Sequence, residues 1–339
     1  MKNLFTSILG IFLFNSVALC NDSAVFYFNK GVEEKTSKRF LHASKNFETA
    51  IKFDSNYLQA YLENGYTNLE MRKLRLALND FTKVFELDNT NQAAIKELAS
   101  LYFGFKQYQK AVEFTNKCTS CNDKEKIIGI SYYQDENFGL AEKVLAPYVQ
   151  KNPTDAETSF ALARTYLELE NEKKAIYFYE LALKERNTNA SWYSELGLIY
   201  YNNNQYKKAI DCFTNAVKNG ITQSNDFKQN YAFAYIYAND ATNAEPILQD
   251  LIIRKVGNKE LLRDIAEAYY SAKQYDNSLG YCQRLIEMDA RDGKALYQAG
   301  LCFQKKGQTD RGQKMCDAAI DMDPALGKMR KQTSLPVGL

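Results

Sequence analysis

The chain is short of the residues that punctuate or catalyse. Five prolines are spread over 339 residues, with one histidine and one tryptophan. So few prolines, and no run rich in glycine or serine, leave nothing that reads as a linker between domains. The single histidine, His42, sits between Leu41 and Ala43 and reads as a solvent-facing or packing residue, because no nucleophile or orienting group accompanies it. The patterns G-x-x-x-x-G-K-S/T, G-x-G-x-x-G and H-E-x-x-H are absent. Acidic residues abound, yet no two stand out as an acid/base couple. Neither sign of charge is in excess, 43 basic against 41 acidic residues, so no electrostatic footprint for nucleic acid exists. After the N-terminus no stretch approaches the roughly 20 apolar residues that cross a bilayer.

The N-terminus itself is different. MKNLFTSILGIFLFNSVALCND places Lys2 ahead of an apolar stretch from Leu4 to Leu19 and then turns polar. Residues 1–20 therefore read as a secretory signal peptide, cut after Cys20 or after Ala18. Leu19, not a small residue, precedes Cys20, which makes lipid attachment at Cys20 the lesser alternative; an uncleaved anchor is another. The expectation is an exported protein, periplasmic or of the cell envelope, with no membrane span once the signal is removed.

Tyrosine and phenylalanine are plentiful, 24 and 20, and they recur at a fixed period. A small residue followed four positions later by a second residue, mostly larger, gives Ala43/Phe47, Ala77/Phe81, Ala111/Thr115, Ala141/Leu145, Ala175/Tyr179, Ala209/Phe213, Ala244/Leu248, Ser278/Cys282 and Gly312/Cys316, mostly 34 or 35 residues apart. Twelve residues before each anchor stands another small residue: Gly31, Gly65, Ala99, Gly129, Ala163, Gly197, Ala232, Ala266 and Gly300. Each unit reads as two amphipathic helices whose small residues approach closely while larger ones fill the space beside them. In ASWYSELGLIYYNNNQYKKAIDCFTNAVKNG the turn falls at Asn202 to Gln205 and the stop at Gly220. One unit cannot bury its own apolar face, so neighbours must stack into an all-α solenoid. Pro147 and Pro246 fall inside second helices, where a proline costs about 3 kcal/mol, and predict kinks or early helix ends in the fourth and seventh repeats.

These residues resemble the tetratricopeptide repeat family. The resemblance rests on Leu196-Gly197, on tyrosines near the end of first helices (Tyr102, Tyr132, Tyr166, Tyr200, Tyr235 and Tyr269), on the second-helix alanine and on the closing Asp323-Pro324. It places nine repeats at 24–57, 58–91, 92–121, 122–155, 156–189, 190–224, 225–258, 259–292 and 293–326. Residues 327–339, with Lys328, Arg330 and Lys331, follow as a short basic C-terminal cap or tail. The resemblance implies a right-handed superhelical solenoid of antiparallel helix pairs, with a concave groove lined by first helices. Positions that would face it include Phe28, Tyr66, Lys96, Phe103, Lys126, Tyr133, Phe160, Arg164, Tyr201, Phe233, Tyr237, Arg263, Tyr270 and Tyr297. Rings with polar tips give large contact area at low entropic cost, which suits peptides or sugars; packing between neighbouring helices is the competing role for each ring.

The implied function is a non-enzymatic protein-binding scaffold or adaptor of the cell envelope, holding a protein or peptide partner in the groove. The alternative is a glycan-binding envelope protein using the same aromatics. No cofactor and no metal are implied, and the oligomeric state is open. Members that grip a chaperone's terminal carboxylate present Lys and then Asn four residues later. Lys96/Ser100, Lys126/Ile130 and Arg263/Glu267 do not match, so that recognition is not expected.

NKCTSCNDKEK remains, with Cys118 and Cys121 in a C-x-x-C spacing. The register puts Cys118 near the C-terminus of a helix, where the dipole raises a thiol pKa, the reverse of a redox pair. Zinc would need four ligands, and the next cysteine is Cys212. Two readings stay open: unpaired small residues that pack, the favoured one, or a Cys118–Cys121 disulfide that pins the connection. The third repeat is 30 residues long and reads as lacking a four-residue closing loop.

Overall fold

A computed structural model describes residues 22–327; the signal-like segment 1–20 and the basic Lys328, Arg330 and Lys331 lie outside the described residues. Among the described residues every extended element is an α-helix. The first helices of the repeats are α1 (22–36), α3 (Leu58–Glu70), α5 (Gln92–Gly104), α7 (Lys124–Gln134), α9 (Ala156–Glu168), α11 (Ala190–Asn202), α13 (Asn225–Tyr237), α15 (Lys259–Ser271) and α17 (Gly293–Lys305). The second helices are α2 (Phe40–Phe53), α4 (Leu74–Leu87), α6 (Tyr108–Lys117), α8 (Phe138–Lys151), α10 (Glu172–Glu185), α12 (Tyr206–Lys218), α14 (Ala241–Arg254), α16 (Tyr275–Met288) and α18 (Thr309–Met322).

The turn inside each repeat is built one way. Its middle residue takes left-handed backbone: Lys38, Arg72, Lys106, Glu136, Glu170, Asn204, Asn239, Lys273 and Gly307, with φ between 55° and 81°. The residue after it donates its N–H to a carbonyl five residues back, as Lys73 to Asn68 and Gln205 to Tyr200, both at 2.8 Å. Such a reversal satisfies the last carbonyls of the first helix and returns the chain within three residues. Most first helices begin on a side-chain cap. Asn91, Asp155, Asn189, Ser224, Asn258 and Asp292 each accept from the N–H three residues on, at 3.0–3.2 Å.

The chain divides into two compact units, up to Ala182 and from Leu183. The core of the first holds Phe81, Val84, Leu98 and Tyr102 between α4 and α5, then Leu145, Val149, Leu162 and Tyr166 between α8 and α9. In the second, Leu248, Leu251, Ile265, Tyr269, Tyr281 and Leu285 form one cluster, with Tyr297, Cys316, Ala319 and Leu326 beyond it.

In four pairs a glycine of the first helix lies directly under a large residue of the second. A Cβ on Gly31, Gly65 or Gly197 would lie 2.6–2.9 Å from the ring of Phe47, Phe81 or Phe213, and one on Gly129 would lie 2.3 Å from Leu145. The large side chain thus rests on the bare backbone. Around Gly300 and Gly312 two small residues meet, each against the other's carbonyl.

Two expectations need correction. Neither proline ends its helix: α8 runs 14 residues through Pro147 and α14 runs 14 through Pro246. Both prolines are exposed, so water can take the freed carbonyl while Leu145, Val149, Leu248 and Leu251 hold the buried faces. The third repeat has not lost its closing loop either. Its second helix, α6, has 10 residues where its counterparts mostly have 14, and the connection that follows spans 118–123. Cys118 caps that shortened helix and is joined to Cys121 by a disulfide, with Cα atoms 5.7 Å apart, instead of remaining a free thiol.

The first and second repeats share a hydrogen-bonded polar layer. Ser44 donates to Asn64 Oδ1 at 2.8 Å, and the amides of Asn64 and Asn68 both donate to Asp80 Oδ2 at 2.9 and 2.8 Å. Burial pushes the Asp80 carboxyl up to about 6, against the pull of the two amides and with a small contribution from Glu48.

Two predictions follow from this packing. Gly197→Ala should cost about 1–3 kcal/mol in urea unfolding, because the ring of Phe213 must move, whereas Gly280→Ala, with nothing near its Cβ site, should gain about 1 kcal/mol; equal effects would refute the contact. For Asp80, the raised folded-state pKa means that the native protein holds a proton which the unfolded chain has already released. Stability from this group is greatest below about pH 4 and is lost as pH rises to about 6. Asp80→Asn, which keeps both acceptor bonds, should flatten that window and stabilise the protein at pH 7 by about 2 kcal/mol. A pH profile unchanged by the substitution would contradict the assignment.

Candidate functional site

First helices lie side by side: α7 against α9 in one unit, and α11, α13, α15 and α17 in succession in the other. Their shared face carries the residues that the family resemblance selects. The register brings several of its rings against a second ring across the three-residue turn. Phe103 meets Tyr108 at 6.2 Å between centroids, Tyr133 meets Phe138 at 6.4 Å, Tyr201 meets Tyr206 at 5.8 Å and Tyr270 meets Tyr275 at 5.7 Å. The partner stands five residues later in each case, so the pairing is readable from the sequence once the turn length is known.

Other members of the set are also engaged. Phe28 packs on Phe47 and Tyr57, Phe160 on Tyr179, and Tyr66 on Phe81, with the Lys35 ammonium 5.3 Å above the Tyr66 ring. Tyr237 stacks on Tyr206 at 4.9 Å and lies 6.2 Å from Tyr201. Burial, with Tyr237 and Tyr206 beside it, pushes the Tyr201 hydroxyl well above its usual range. Phe233 and Tyr297, expected on the groove, are 9% and 6% exposed. They belong to the apolar clusters of the second unit and are not open to a ligand. Few of these rings offer a bare face for stacking.

Lys96 and Lys294 are exposed, and Arg164 is half-buried on α9. Lys126 pairs with Asp155 at 2.8 Å and lies 3.8 Å from Glu157; burial lowers its pKa, but the two carboxylates outweigh that and raise it overall. Arg263 bridges Glu260 at 2.5 Å and the buried Asp292 at 2.8 Å, which also caps α17. That bridge fixes the guanidinium on the wall of a recess of about 180 Å³, lined also by Glu267, Lys294 and Gln298. Arg263 Nε and Gln298 Nε2 are buried there without a hydrogen-bond acceptor. The exposed Lys294 can meet a carbonyl or carboxylate oxygen, whereas the two buried donors are closed to solvent. Gln298 and Asp292 were not singled out by the sequence, because neither an orphaned amide nor a cap doubling as an ion-pair partner has a sequence signature.

Among the described residues no group of three or more His, Cys, Asp or Glu side chains could hold a metal ion, and no helix is long and apolar enough to cross a membrane.

Comparison with known proteins agrees with the helix-pair architecture. Tetratricopeptide repeat family models match residues 128–191 and 232–295, residues 190–219 and residues 293–326, together more than half of the chain. General transcription factor 3C polypeptide 3 of Homo sapiens is 33% identical over 135 residues, 38% of this chain and 15% of that protein. A peroxisomal targeting signal receptor of Candida albicans is 28% identical over 180 residues, 53% of this chain and 26% of that protein. The match thus spans under a third of either relative's length. A tetratricopeptide repeat protein from Parabacteroides merdae, known as a crystal structure, superposes with a TM-score of 0.45 at 13% identity, covering 74% of this chain and 99% of that one. By its repeating helix pairs and its matched segments, the chain belongs to the tetratricopeptide repeat family.

Proposed function

We propose that this protein is a non-enzymatic scaffold of the cell envelope that holds a protein or peptide partner on its first-helix face. Arrays of tetratricopeptide repeats are protein–protein interaction scaffolds, and this fold is generally non-enzymatic. The observation that carries the reading is the recess between α15 and α17, where the exposed Lys294 stands beside Arg263, Glu267 and Gln298. Export is supported by the signal-like N-terminus and by the Cys118–Cys121 disulfide, which suits an oxidising compartment. Glycan stacking is the weaker reading, since the rings it would use are largely paired with one another.

The expected outcome is that Lys294→Glu combined with Gln298→Ala weakens capture of the partner from envelope extract about tenfold or more, with the unfolding midpoint preserved. Capture at wild-type strength would remove the first-helix reading. Recovery of the protein from the cytoplasmic fraction would remove the envelope.

A further inference from the structure

The opposite side of the seventh and eighth repeats, formed by second helices, carries a groove that the first-helix reading leaves unused. It runs between α14 and α16 as two adjoining recesses of about 460 and 520 Å³ that share Arg284. On α16 the lining residues Asn277, Gly280, Tyr281, Arg284, Glu287 and Met288 follow the spacing of one helical face.

One end is apolar against the rule of the array. Ile253 is 71% exposed and Val256 87%, with Met288 beside them at 45%. At the position of Ile253 other second helices carry Lys52, Glu86, Lys184, Lys218, Glu287 and Asp321. Those charges are what a solvated helix end should show, so an isoleucine here departs from the pattern in the one place where a recess lies open.

In the middle is an arginine held ready but unpaired. Tyr281 donates to Glu245 Oε1 at 2.8 Å, Tyr269 donates to Glu245 Oε2 at 3.3 Å, and Gln249 donates to Oε1 at 2.7 Å, so the carboxylate is fully engaged. Those bonds fix the Tyr281 ring, and the Arg284 guanidinium lies 5.5 Å from its centroid. Among the described residues Arg284 has no carboxylate partner. It thus contrasts with Arg263, which has two. Gly280, mid-helix with no atom within 4 Å of its Cβ site, keeps the floor beside Arg284 low. Lys255, also on the apolar rim, adds positive charge.

We propose that the α14–α16 groove is a second docking surface, which binds a short partner peptide by a carboxylate on Arg284 and an apolar side chain set among Ile252, Val256 and Met288. A planar guanidinium near a fixed ring, 5.5 Å from its centroid, can meet a carboxylate with two parallel hydrogen bonds. The basic rim and the apolar end select together for an acidic residue next to an apolar one. Neither alone would separate this peptide from a purely acidic or purely greasy one.

The probe is a displayed library of random dodecapeptides selected on the full chain, with the winners measured by fluorescence polarisation. The expected winners carry Asp or Glu near a large apolar residue and lose affinity about tenfold or more with Arg284→Glu and with Val256→Asp. Both sites are on the surface, and unchanged circular dichroism and unfolding midpoint would show that the variants fold. Lys294→Glu, on the first-helix face, should leave this binding untouched, which separates failure here from failure of the scaffold reading. The proposal is overturned if no acidic–apolar peptide is enriched, or if the winners ignore both groove substitutions. A concentration-dependent dimer abolished by Ile253→Asp would also overturn it, giving the face to a second copy of the chain.

Discussion

Two helices joined by three residues can lie flush only if the chain reverses within a single left-handed residue and the facing side chains leave room. Eight of the nine residues that make this reversal are not glycine, although left-handed backbone costs an ordinary residue about 1–2 kcal/mol. The cost is met by the hydrogen bonds of the turn and by what the turn brings together, since in four pairs the glycine of one helix then lies under the phenylalanine or leucine of the next. Register follows from that contact. So does the placement of the rings at the end of the first helix and the start of the second, which meet because the turn between them has one length. Aromatic residues that look like a binding stripe are therefore, to a large extent, part of the hinge of each pair.

The period of the array was legible in the sequence because it rests on volume: small at one site, large four residues on, small again twelve residues before. The irregular parts were not legible in the same way. A repeat of 30 residues declares that four are missing but not from where, and α6 proved to be the element that gave them up. Prolines read as breakers because sequence carries no information on exposure, and Pro147 and Pro246 stand on the wetted side. The site shows the same limit. Helical spacing identified which residues share a face, yet Phe233 and Tyr297 turned inward, because their burial depends on the neighbouring repeat and not on their own helix.

The polar layer of the first and second repeats shows what an apolar array lacks. Repeats with interchangeable cores of leucine, tyrosine and phenylalanine are held by shape, and shape tolerates small slips. The bonds from Ser44 to Asn64 and from Asn64 and Asn68 to Asp80 form only when α2, α3 and α4 stand in one register, because each needs a specific atom on a neighbouring helix, and Asn68 Oδ1 stays buried without a partner. Burying a carboxylate to achieve this weakens the repeat at neutral pH, as the raised Asp80 pKa indicates. Buried polar groups exchange stability for a unique arrangement in some proteins, and the geometry here fits that exchange.

Pairing of charge separates the surfaces of the C-terminal repeats. On the first-helix face Arg263 is tied to Glu260 and Asp292 and serves as a wall, leaving Lys294 as the exposed cation of that recess. On the second-helix face the carboxylate of Glu245 is consumed by two tyrosines and a glutamine, and Arg284 is left without one. Solvated arginines without partners are common and by themselves mean little. What distinguishes Arg284 is that the ring near it is itself anchored, that the backbone beside it lacks a Cβ, and that Ile253 stands exposed where most other second helices carry a charge. The mid-helix glycine lowers local stability and the exposed apolar end lowers solubility, each slightly. Their coincidence along one face of α16 has a physical rationale only if something covers that face.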